Sequence, residues 1–226
     1  MKKKILLSVV AIIIIVLALV FLLFRNEISL VYNFLFVSEQ KAQDDYQTSK
    51  SALKDSLVSE YEIDKTLSEG FTKEEMDKLS KGEITVDEVM SRITEKNDTV
   101  KSESNTKDAK KQKINAAVSK ATAEMYRLQG VYYSKLGAFE SEVISFYNAQ
   151  IAGGATKTRA KTMIIGTFSG RLYAMEAEAD ANVEAVLSEL TKKLKSLGGD
   201  TGIVSKMRTE YQNQKKAKIA QYRGKM

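Results

Sequence analysis

From Lys110 to Leu197 an apolar stripe of helical period runs up one long segment, breaks at Gly153-Gly154 and resumes along a second. In the first arm Val118, Met125, Tyr132, Phe139 and Phe146 recur every seven residues, with Ile114, Ala121 and Leu128 as a second line. That period puts both lines on one face of an α-helix. Beyond Tyr132 the second line moves to Leu136 and Val143, the drift of about 20° per heptad expected of a straight 3.6-residue helix. In the second arm Ile165, Phe168, Leu172, Met175, Ala179, Val183, Val186, Leu190, Leu194 and Leu197 keep the same period. Two such arms joined by glycines predict an antiparallel helical hairpin. A fold at the glycines sets Phe139 opposite Phe168, Leu136 opposite Leu172, Leu128 opposite Ala179 and Gly137 opposite Gly170, with Arg127 near Asp180.

The rest of the composition agrees with long helices. None of the 226 residues is proline, which suits uninterrupted helices and argues against loop-rich and sandwich folds. The expected class is all-α. There is no cysteine and no histidine, so disulfides, thiolate metal sites, cysteine nucleophiles and the commonest general base are excluded together. The formal charge of +6 is unevenly placed: residues 38–105 carry 10 basic and 17 acidic side chains, residues 106–226 carry 21 and 11. Complementary charges between packed segments account for this split, as does a basic surface facing an anionic partner.

Ahead of the hairpin, Lys2 to Lys4 precede Ile5 to Phe24, twenty residues without a charge. At 1.5 Å per residue such a run covers roughly 30 Å of hydrocarbon. No small-x-small cleavage site follows it, so the reading is an uncleaved anchor rather than a removed signal peptide. The lysines on its N-terminal side place the N-terminus in the cytoplasm and the bulk of the chain outside. Only Met1 to Lys4 then remain inside, which leaves no cytoplasmic output domain. The expected organisation is therefore an anchor at 1–27, a juxtamembrane segment at 28–40, an acidic helical region at 41–93, a linker at 94–108, and the hairpin with a C-terminal basic helix at 109–226. Ile28 to Val37, rich in aromatics, suits the lipid interface.

Within 41–93, Tyr46, Leu53, Leu57, Tyr61 and Leu67 outline a helix from Lys41 to Glu69, ended by Gly70. Two similar units follow: Phe71-Thr72 with Glu75 and Met76, and Ile84-Thr85 with Glu88 and Val89. Each has the form of a capping box with a hydrophobic staple, so a small helix-turn-helix is expected. Its second half, LSKGEITVDEVMSRI, resembles the short helical hairpins appended to many bacterial proteins as oligomerisation or docking tails. No function is carried over from that resemblance, and the acidic charge of the unit argues against nucleic acid. Thr94 to Asp108 lacks a period and reads as linker. After the turn at Gly198 to Gly202, a third helix with Val204, Met207, Tyr211, Ile219 and Tyr222 should run back over the hairpin end that holds Ile114, Val118, Val186 and Leu190. The 41–69 helix is the candidate fourth member of that bundle.

No catalytic, cofactor or metal residue emerges. Glu176, Asp180 and Glu184 share one helical face, but they lack the carbonyls and tight turns that calcium sites use, so a solvated stripe is the reading. Ser119-Lys120 and Ser205-Lys206 are the only form of nucleophilic dyad left without histidine, yet neighbours on a helix do not face each other. Gly166 to Gly170 lies in a helical pattern without a Walker lysine or a preceding strand, so it is no phosphate loop. The apolar hairpin tip is the better candidate. Phe139, Val143, Ile144, Phe146, Tyr147 and Ile151 on one arm, with Met163, Ile164, Ile165 and Phe168 on the other, exceed what two helices can bury, and Lys157, Arg159 and Lys161 stand beside them. Folding of the 41–93 region over the tip would be the alternative. The expected protein is thus a non-catalytic, membrane-anchored, extracytoplasmic helical interaction or scaffold protein of a bacterial envelope. Its expected partners are the membrane and a second copy or another envelope protein. The alternative is a module that binds an anionic cell-wall polymer or lipid headgroups.

Overall fold

The computed structural model describes residues 38–63, 65–95 and 106–225. The proposed span at Ile5 to Phe24, the 28–37 part of the juxtamembrane segment and residues 96–105 of the linker lie outside the described residues. All regular structure among those described is helical: α1 (Glu39–Ser59), α2 (Lys65–Glu69), α3 (Lys73–Lys81), α4 (Val86–Glu95), α5 (Thr106–Ala152), α6 (Lys157–Ser196) and α7 (Gly202–Lys225). None of these helices is long and apolar enough to cross a membrane. The chain divides into two compact units, one of residues 52–207 and one that includes residues 38–51 and 208–225.

The larger unit is built on the hairpin. Helices α5 and α6 hold 47 and 40 residues, or about 70 and 60 Å of helix. Between them Gly154 takes φ 86°, a left-handed conformation that glycine adopts without a Cβ penalty. The Ala155 amide donates to the Gln150 carbonyl at 3.0 Å. The Thr156 hydroxyl then accepts from the Arg159 amide at 3.3 Å and starts α6. The register agrees with the Phe139 to Phe168 pairing, whose rings meet edge to face at 5.7 Å. Nearby, Lys135 pairs with Glu178 at 2.7 Å and Asn182 donates to the Tyr132 hydroxyl at 2.6 Å.

Gly137 and Gly170 do not meet. A Cβ built on Gly137 would lie 1.7 Å from the Ser80 carbonyl oxygen, whereas one built on Gly170 has no neighbour within 4 Å. The close approach at Gly137 therefore belongs to α3, packed backbone against backbone on α5. Gly130 serves the same contact one turn-pair earlier, with its added Cβ 2.7 Å from the Phe71 ring and 3.0 Å from Val86. The bidentate partner of Arg127 is Glu124 on the same helix, at 2.6 and 2.9 Å. A three-residue spacing brings two side chains of one helix together at little entropic cost.

Both capping boxes are present. The Thr72 hydroxyl accepts from the Glu75 amide at 3.2 Å while Glu75 accepts from the Thr72 amide at 2.8 Å, and Thr85 and Glu88 repeat the arrangement at 3.3 and 2.7 Å. Gly82, at φ 72°, ends α3. The helix expected over Lys41 to Glu69, however, is broken. Helix α1 stops at Ser59 and α2 starts at Lys65, with Glu62 between them at φ 53°. The reason is burial: Tyr61 and Ile63 are both buried, but two positions apart on a continuous helix they would point about 200° apart. Breaking the helix lets both reach one core.

Near the far end of the hairpin from its turn, Val118, Leu187 and Leu194 are fully buried, as are Leu57 of α1 and Ile203 and Met207 of α7. Lys110 donates to the Gly198 carbonyl at 3.2 Å, and Gly199 packs against Ile114. Lys111 pairs with Glu62. Lys206 joins α7 to the end of α1, reaching Glu60 at 3.0 Å and the Ser56 hydroxyl. The smaller unit centres on Ala42, Tyr46, Ala217 and Ala220. There Gln214 donates to the Tyr46 hydroxyl and Asn213 to the Asp45 carbonyl, each at 3.3 Å.

Candidate interaction surface

The hairpin tip is positioned by α5 and α6 alone among the described residues. Phe168 is buried, and both Phe139 and Phe146 meet it edge to face, at 5.7 and 5.3 Å. Such pairs are worth about 0.5 to 1.5 kcal/mol beyond the area they bury. Arg171 closes the cluster. Its guanidinium lies 5.5 Å from the Phe139 ring and 5.7 Å from the Phe168 ring, and it grips Glu142 with two bonds of 2.6 and 2.7 Å. The hydrogen bonds from Arg171 hold the Glu142 carboxyl below the usual carboxylate range. Three of the ten tip residues expected to meet a partner are therefore joined inside the hairpin.

The other seven differ. Val143, Tyr147 and Ile164 are half-buried, while Ile151, Lys157, Arg159 and Lys161 are exposed. The most exposed apolar side chains of the tip are Ile165 at 66% and Ile144 at 52%, both expected there, and Leu172 and Tyr173 are as open as Ile151. Ile165 and Leu172 belong to the apolar stripe of the second arm, so that stripe is wider than the contact with α5 can cover. Between them sit Gly166 and Gly170, both without a neighbour within 4 Å of an added Cβ. Neither glycine ends a helix or permits a close approach among the described residues. The signal that could have found this face was the four-residue spacing of Gly166, Gly170 and Ala174 next to Ile165 and Tyr173, which periodicity places on one side of α6.

The small helix-turn-helix does not lie over this tip among the described residues. Phe71 packs with Tyr126 at 6.1 Å between ring centroids, and the Tyr126 hydroxyl donates to the Ser68 carbonyl at 3.1 Å. Those contacts, with Gly130 and Gly137, place α3 and α4 on the middle of α5.

Two further arrangements bring charged side chains together. A groove of about 510 Å³ is lined by Asp87, Lys120, Glu124, Arg127, Val186 and Glu189 among others. Both of its cations are matched by carboxylates, Arg127 to Glu124 at 2.6 Å and Lys120 to Glu189 at 3.9 Å, and Asp87 adds a further negative charge, so the groove has no excess of positive charge for an anionic ligand. The second is Lys206 with Ser56. Lys206 bonds the carboxylate of Glu60, and that hydrogen bond holds Glu60 below its ordinary value; the Ser56 hydroxyl meanwhile donates to the Ala52 carbonyl at 3.0 Å. The Lys206 ammonium is thus held by a carboxylate and a hydroxyl of α1 and its end, and the trio acts as a strut between α1 and α7. Glu176 and Asp180 are half-buried and Glu184 is exposed on α6, and no group of three or more acidic side chains suited to a metal occurs among the described residues.

Among the described residues, fold and surface together define an all-helical protein built on a long antiparallel hairpin, with α3 and α4 packed on α5 and an open face on α6. Compared with known proteins, the chain matches no family model, no curated protein and no solved structure.

Proposed function

We propose that the chain is a non-catalytic, membrane-anchored interaction protein of a bacterial envelope, with its helical bulk outside the cytoplasm and its hairpin tip as the contact surface. The observation that carries the contact surface is the exposure of Ile144, Ile165, Leu172 and Tyr173 on the hairpin, without a described neighbour at the adjacent Gly166 and Gly170. Exposed apolar clusters on a folded domain mark sites of association. The anchor rests on the uncharged run from Ile5 to Phe24 behind Lys2 to Lys4, and the orientation on the positive-inside bias. Protease added to intact spheroplasts should degrade the region after Arg25. Protection of that region, or a mature protein that begins downstream of residue 25, overturns this reading.

A second reading, capture of an anionic polymer or lipid headgroup, is favoured by the exposure of Lys157, Arg159 and Lys161 on the first turns of α6. Salt separates the two. Contacts between exposed charges are screened beyond about 8 Å at physiological ionic strength, whereas apolar packing strengthens in kosmotropic salt.

A further inference from the structure

We propose that the open face of α6 pairs with the same face of a second copy, the two helices running antiparallel about Ser169. This deepens the reading of the tip as a contact surface and rests on it. The face carries projections and recesses of its own. Ile165, Leu172 and Tyr173 stand out from it, and Gly166 and Gly170 leave space with no neighbour within 4 Å. With Ser169 at the two-fold axis, the helical step of about 100° per residue brings Gly166 beside Tyr173 of the second copy on one flank and Ile165 beside Leu172 on the other. The recess at Gly166 then receives the Tyr173 ring, and side chains seated in such gaps are how helices pack closely.

Charge selects the direction. The start of α6 is basic, with Arg159 and Lys161, and the segment beyond Tyr173 is acidic, with Glu176 and Asp180. In the antiparallel pairing Arg159 falls opposite Ala179, beside Asp180, and Lys161 opposite Ala177, beside Glu176. A parallel pairing in register would set Arg159 against Arg159 and Asp180 against Asp180, and like charges so placed are repelled. The antiparallel contact is also isologous, so it closes at two copies and leaves no open end for growth.

The chain contains no cysteine, which allows a direct test by single-cysteine variants of the full chain, oxidised in isolated membranes and resolved without reductant. Ser169→Cys should form a disulfide-linked dimer by itself. Thr162→Cys and Ala177→Cys should each remain monomeric, because across the two-fold axis each lies roughly 20 Å from its own copy, beyond disulfide reach. Expressed together, those two should link to each other. Gly166→Leu or Gly170→Leu, placed where no described atom would obstruct the side chain, should keep full helicity yet reduce the Ser169→Cys dimer at least tenfold. Self-linking of all three single variants, a Ser169→Cys chain that stays monomeric, or a dimer indifferent to both leucines overturns the pairing. If it fails while protease still reaches the region after Arg25, the membrane-anchored reading stands and only the second copy is removed as the occupant.

Discussion

The two arms of the hairpin use glycine in opposite ways. On α5, Gly130 and Gly137 lie under Phe71 and the Ser80 carbonyl, and α3 rests on the α5 backbone. On α6, Gly166 and Gly170 lie under nothing described, although the Phe139 to Phe168 register sets Gly170 level with Gly137. The same residue type on two long helices marks a contact already made on one arm and an open surface on the other. Glycine within a helix costs about 0.5 to 1 kcal/mol relative to alanine. On α5 the docking of α3 offsets that cost; on α6 nothing within the described chain does.

Substitutions can separate covered from open positions, and the largest effect is expected in the buried core. Leu187→Ala, at a fully buried position, should lower unfolding stability by about 2 to 5 kcal/mol through lost burial and the cavity left behind. Ile165→Ala on the open face, at 66% exposure, should change it by less than about 0.5 kcal/mol. Urea unfolding followed by circular dichroism measures both, and similar losses at the two sites would mean that both are equally packed.

Next in size is the glycine pair itself. Gly137→Ala brings a Cβ against the Ser80 backbone, and overpacking of this kind costs about 1 to 3 kcal/mol. Gly170→Ala meets no neighbour and should stabilise the helix by up to about 1 kcal/mol. Opposite signs in the same unfolding assay support the contrast; a loss at Gly170 would place an unrecognised contact there.

The smallest effect marks off the other unit. Burial raises the Glu210 carboxyl from its ordinary 4.5 to about 7, with Lys50 opposing, and pushes the Tyr46 hydroxyl up to about 12. A carboxyl held up in this way keeps a proton that the unfolded chain has already released. Its contribution to stability is therefore complete below about pH 4.5 and is lost as pH rises through about 7, on the order of 1 to 2 kcal/mol. In the hairpin, hydrogen bonds from arginine hold Glu142 and Glu124 low, so their stabilisation is present above the ordinary carboxylate value and disappears only in acid. Stability measured from pH 5 to 8 should fall in the wild type and be flatter in Glu210→Gln. An unchanged slope in the variant would assign the pH dependence to other groups.

Much of this architecture was legible in the chain because it depends on local chemistry. The seven-residue recurrence from Val118 to Phe146, the glycines at 153 and 154, and the Thr72 and Thr85 boxes are short-range signals, and each acts within a few residues of where it is read. Even the Phe139 to Phe168 pair follows, since a tight turn between two regular helices leaves little freedom of register. The break after Ser59 did not follow. Tyr61 and Ile63 fit a helical stripe or its interruption, and only a core that accepts both decides between them. The same limit applies to the tip, where Phe146 and Ile165 look equivalent by period although one ring packs on Phe168 and the other side chain stands in the open.

By itself, then, the sequence determined helix type, helix ends and the hairpin, because backbone hydrogen bonding, capping and periodicity act between near neighbours. Only the tertiary structure decided which glycine faces a partner helix and which faces outward. A glycine has no side chain whose chemistry could announce its neighbour, and that neighbour, Ser80 for Gly137 and no described atom for Gly170, is set by how distant segments pack.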